Sequence, residues 1–145
     1  MQEPVVREFI EIAYGSLQSS LEVSRQLESK LSDWRSALVE MRSEDVTSAL
    51  DAVAELSVSL SEHESVIERA ALFAGCQEGE RYINYLCNFL GKDTVEGAKF
   101  AALAKDLKVS LTRCSEAMIA GTDLMDEVKK SIDSVQDSSS IDIRI

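Results

Sequence analysis

The residues best able to do chemistry in this 145-residue chain are one histidine, three cysteines and a cluster of carboxylates. His63 stands between Leu60 and Ile67 at helical spacing from both. A di-iron bundle would place a glutamate three residues before each ligating histidine, and position 60 is leucine. His63 therefore reads as a boundary residue of a helical core, hydrogen-bonded across to a neighbouring helix. Cys76 lies in the stretch Gly75-Cys76-Gln77-Glu78-Gly79. A thiolate nucleophile there needs an adjacent base, and His63 belongs to a different element. Cys76, Cys87 and Cys114 are odd in number and include no CxxC pair, so they read as reduced thiols, not a disulfide framework or a zinc site. Glu62, Glu64 and Glu68 share one helix and suit a solvated face. No Gly-rich phosphate loop, GxSxG elbow or HExxH pair occurs. The expectation is a non-enzyme with no catalytic residue, no metal and no cofactor.

The elements that carry these residues announce themselves by period. Apolar residues recur at alternating steps of three and four along three long stretches. One runs from Ile10 through Leu17, Leu27, Leu31 and Trp34 to Met41. A second runs from Val46 through Val53, Leu60 and Ile67 to Ala74. A third runs from Ala104 through Leu111, Cys114, Met118, Gly121, Met125, Val128 and Ile132 to Val135. A seven-residue repeat puts each set on one stripe, which suits helices packed nearly parallel or antiparallel. The spacing predicts a first helix over Pro4–Met41 and a second over Glu44–Ala74, capped by Ser43 and stopped by Gly75. So short a turn folds the two into an antiparallel hairpin. A short helix with Tyr82, Ile83, Tyr85, Leu86, Phe89 and Leu90 on a crowded face ends at Gly91. Asp93 and Glu96 are spaced as a capping box for a last helix ending near Val135. Gly121 lies on that helix's apolar stripe, which points to close approach of a neighbour, with a hinge as the alternative. The fold class is all-α, an elongated antiparallel bundle of three long helices and one short one. The bundle domain spans 1–136, and 137–145 forms a flexible tail in which Ile141-Asp142-Ile143-Arg144-Ile145 alternates with a strand period.

Charge narrows the partners. Fifteen basic residues against 26 acidic ones give −11. Such a surface repels phosphate backbones and anionic lipid, so nucleic-acid and membrane-surface binding fit poorly. No apolar run approaches the roughly 20 residues needed to span a bilayer. The polar, acidic start after Met1 lacks the pattern of a signal peptide, so a cytoplasmic location is expected. The third stripe carries the interaction signal. Methionine tolerates imperfect fits and suits the capture of amphipathic segments, and the stripe beyond Gly121 outruns what the short helix can cover.

At this point the layout resembles the FlgN-type flagellar export chaperones, which are small, acidic, all-helical cytosolic proteins. The segment from Ala37-Leu38 through Ala49-Leu50, then Glu64 to Arg69, Phe73 and Gly75, is similar to that family's acidic–Arg element before an aromatic-Gly stop. Ile141-Asp142-Ile143-Arg144 looks like its variable tail. The chain departs from the family at Gly121-Thr122-Asp123, where an asparagine is common, and in its Tyr82/Tyr85/Phe89 cluster. The resemblance implies a chaperone that holds unsecreted hook–filament junction subunits through amphipathic helical segments and hands them to export-gate components. It places the partner-binding residues in the last helix and tail, at Leu124, Met125, Val128, Ile132, Val135, Ile141 and Ile143. A monomer or weak homo-oligomer is expected. The alternative reading of the same stripes is a self-associating coiled-coil scaffold or adaptor subunit of a larger assembly.

Overall fold

The computed structural model describes residues 3–77, 80–91 and 93–143, with side chains over 5–77, 80–91 and 93–134. Four helices make up the described chain, and no strand occurs among the described residues. They are α1 (Glu3–Val39), α2 (Ser43–Phe73), α3 (Tyr82–Leu90) and α4 (Val95–Ile143). Pro4 falls in the first turn of α1, where its missing N–H has no intrahelical partner to lose.

The ends of α1 and α2 close with the same hydrogen-bond pattern. Arg42 N–H donates to the Ala37 carbonyl at 2.9 Å and Met41 N–H to the Leu38 carbonyl at 3.2 Å. Cys76 N–H likewise donates to the Ala71 carbonyl at 2.9 Å and Gly75 N–H to the Leu72 carbonyl at 3.1 Å. Both are Schellman turns, which need a left-handed residue just past the helix. Gly75 supplies it at φ 108°, whereas at the α1 end Met41 is held at φ 55°. The cap of α2 is Arg42, not the expected Ser43, and no side-chain hydrogen bond caps the helix. Arg42 instead clamps the turn, with its guanidinium 2.6 Å from Glu40 and 2.7 Å from Asp45. At the head of α4 the cap is Thr94, whose hydroxyl accepts the Gly97 N–H at 3.0 Å. The expected Asp93/Glu96 box is thus one residue out of register.

Side-chain pairs fix the directions. Phe9 stacks on Phe73 with ring centroids 4.4 Å apart, so the open end of the α1–α2 hairpin is joined by its own termini. Tyr14 meets Phe100, the Cys114 thiol donates to the Ser24 carbonyl, and Gly121 faces Trp34. Residue numbers rise together in these pairs, so α4 runs parallel to α1. The pairing leaves α4 level with the end of α1 near residue 126 and carries it about 17 residues, or about 25 Å, farther.

The apolar core divides in two. At the open end of the hairpin Leu17, Ile67, Leu86 and Phe100 are fully buried. At the turn end Leu31, Trp34, Val53 and Cys114 form a second cluster. Between them α1 and α4 meet through small residues: Ser20 and Ser24 are fully buried, and Ser110 and Cys114 nearly so. The Ser24 hydroxyl donates to the Leu21 carbonyl at 2.7 Å and Ser110 to Glu28 at 2.7 Å. Gly121 explains the closeness at the turn end, the lower end of the bundle as the open end is its upper one. A Cβ built there would penetrate the Trp34 ring, so only glycine admits the indole.

One expectation fails at the far end. α4 does not stop near Val135 but continues to Ile143, through the serine-rich stretch and into the alternating segment. A lone strand leaves its backbone groups without a ladder, whereas a helix satisfies them within the segment. Serine and aspartate lower helix propensity only by fractions of a kcal/mol each.

Candidate partner-binding surfaces

The residues suited to catalysis are not brought together. His63 is half-buried on α2, and among the described residues no hydrogen-bond partner reaches it, so the expected bond across the hairpin is not made. Cys76 is buried beside the α2 stop, with Sγ 3.5 Å from the Gln77 carbonyl oxygen and 3.9 Å from the Glu80 carboxylate. Burial, then the Glu80 charge, pushes its thiol up from the ordinary range. Burial also raises Cys87, and burial followed by Glu28 raises Cys114. Each thiol is thus held in its less nucleophilic form. Among the described residues no group of three or more His, Cys, Asp or Glu side chains is placed to hold a metal ion. No described helix is long and apolar enough to cross a membrane.

The candidate partner-binding residues separate onto two faces of α4. Leu124 is half-buried against the core at the turn end, where it continues the line Cys114, Ala117, Gly121. Val128 follows on that same face and is half-buried. Met125 and Ile132, seven residues apart, lie on the flank and are 40% and 43% exposed. Met118 extends this flank toward the middle of the bundle and is 39% exposed. Val135, Ile141 and Ile143 have side chains outside the described residues. At the same end of the bundle the turn presents Val39 and Met41, both more than half exposed. The result is an apolar patch at the hairpin turn and along the overhanging part of α4.

A second surface was not legible as a site from the sequence. The helix α3 sits between α2 and α4 and packs on both, with Leu86 fully buried beneath it. The Tyr85 hydroxyl donates to the Ala74 carbonyl at 3.1 Å, and the Tyr82 hydroxyl donates to Glu68 at 3.2 Å. Alongside α3 a groove of about 810 Å³ remains open. Its α2 wall carries Glu64 and Glu68 above Ile67, its α4 wall Ala101, Ala104 and Lys105, and α3 contributes Asn84, Cys87 and Asn88. The only advance signal was the pair of alanines at positions where the neighbouring stripe carries larger residues. Glu64 and Glu68 read from sequence as plain solvated face.

Comparison of the chain with protein-family models, with curated proteins and with solved structures finds no match in any of the three. What the fold and surfaces define is an all-α helical bundle with two open apolar surfaces.

Proposed function

We propose that this chain is an export chaperone of the flagellar, type III kind, a cytoplasmic helix-binding module that works without catalysis or cofactor. On this reading it holds unsecreted hook–filament junction subunits on the overhanging part of α4 and releases them to the export gate. The observation that carries the reading is the overhang itself, with Met125 and Ile132 exposed on one flank of a helix that outruns α1 by about 17 residues. An unsupported helix of that length is marginal in water, so a partner laid along its apolar flank stabilises both. Methionine accommodates partners of differing shape, and a disordered substrate terminus supplies an amphipathic segment that orders on binding.

The test is co-expression with hook–filament junction subunits and recovery of the complex. The double substitution Met125→Asp, Ile132→Asp should lower recovery by about tenfold or more, two apolar anchors being worth at least ~1.4 kcal/mol together. Far-UV circular dichroism and Trp34 emission should not change. Undiminished recovery removes the α4 flank as the binding surface. A stable oligomer at micromolar concentration that disperses on the same substitution favours the scaffold reading instead.

A further inference from the structure

We propose that the groove beside α3 is a second docking site, for an amphipathic helix of a partner protein that carries basic residues along its α2-facing edge and acidic residues along its α4-facing edge. The gap between α2 and α4 already accepts one helix. Over part of its length α3 fills it and buries Leu86 completely. The remaining 810 Å³ is about two turns of a helix 10 Å across. The apolar floor does not stop there: a seven-residue step from Ala104 reaches Leu111, half-buried on the same face of α4. An incoming helix would extend an interface that α3 has begun.

Charge identifies the occupant. One wall is acidic, Glu64 and Glu68, and the other basic, Lys105, while Arg81 at the N-cap of α3 is the remaining charge in the lining. Among the described residues no ion pair crosses from one wall to the other. Glu68 accepts the Tyr82 hydroxyl, and Glu64 and Lys105 are left to face whatever enters. A helix with both signs segregated onto its two edges meets each wall favourably, whereas a helix of one sign is repelled by one of them. A second copy of this chain is a poor fit. On its overhanging helix Asp126 and Lys130 lie four apart and share an edge, so the signs are mixed there and not segregated.

This inference goes beyond the chaperone reading and concerns a different surface. The test uses the full chain and a labelled amphipathic peptide of about five turns with a Leu/Ala stripe. The peptide is made in three forms: Lys on one edge and Glu on the other, Lys on both, or Glu on both. Anisotropy is read at about 0.15 M salt, where the field of the acidic chain is screened beyond ~8 Å. The wild type should bind the mixed form about fivefold or more tightly than either single-sign form. Lys105→Glu should move the preference to the all-Lys form, and Glu64→Lys with Glu68→Lys should move it to the all-Glu form. Ala104→Trp should fill the groove and abolish binding of all three, and Met125→Asp with Ile132→Asp should leave binding unchanged. The proposal is overturned if no form binds, if the rank order is the same in every charge variant, or if binding survives Ala104→Trp. It is also overturned if sedimentation shows the groove closed by a second copy, as a dimer that Glu64→Lys disperses.

Discussion

Where α3 enters the bundle, Leu17, Ile67, Leu86 and Phe100 interlock across four helices; at the hairpin turn three helices close around a single indole, and the fit depends on the absent side chain of Gly121. The upper end spreads its packing over many medium-sized side chains, so one truncation leaves most contacts in place. The lower end concentrates it in the largest and the smallest residue types, set face to face. Small substitutions should therefore be felt differently at the two ends. Trp34 is the chain's only tryptophan, so its emission reports the lower end alone.

The largest effect should come from Leu86→Ala, which removes the buried anchor of α3 and should cost about 2–5 kcal/mol in urea denaturation. Native-state Trp34 emission should stay where it is; a shift would mean that the two ends are not separate packing units. Next is Gly121→Ala. Overpacking against the indole costs about 1–3 kcal/mol, set against up to ~1 kcal/mol gained in helix propensity. In a Trp34→Leu background the same change should become neutral or stabilising. A double-mutant cycle without that sign of coupling would separate Gly121 from Trp34.

A smaller effect contrasts the two Schellman turns. Met41→Gly should stabilise by about 0.5 kcal/mol, since relief of the left-handed strain outweighs the added freedom of the unfolded chain. Gly75→Ala should destabilise, because φ is 108° there and a Cβ would stand 3.0 Å from the Tyr85 hydroxyl. Equal responses at the two turns would break the comparison.

The smallest effect is on pH dependence. The three thiols are raised in the folded chain, so folding holds protons that the unfolded chain releases above about pH 8.5. Their contribution is fully present below that pH and is lost as pH rises toward the folded values. Urea midpoints at pH 7.5 and 9.5 should fall more for the wild type than for Cys114→Ala.

Periodicity made the four helices, the hairpin and the close approach at Gly121 legible, because each follows from residues within one segment. What it could not show is which residue on another helix answers each position. Gly121 was visible on its stripe, but Trp34 as the ring filling its space was not. The repeat also has two positions, four residues and so about 40° apart around the helix. α1 covers the line Leu107, Cys114 and Gly121, while Met118, Met125 and Ile132, which read from sequence as part of one stripe with it, stand on the flank. The groove was illegible because no residue in it is unusual alone; α3 makes it by standing between α2 and α4.

The parallel run of α4 beside α1 also orders events in time. Residues of α1 find α2 within a local hairpin, but those facing α4 wait for partners roughly 87 positions later. At synthesis rates of about 5–20 residues per second, the hairpin exists for roughly 3–10 s before α4 is long enough to cover it. Through that interval the waiting face is edged by Ser16, Ser20 and Ser24, buried later but harmless in water meanwhile. A leucine at any of these positions would pack α1 more greasily and leave the nascent hairpin open to the wrong neighbour.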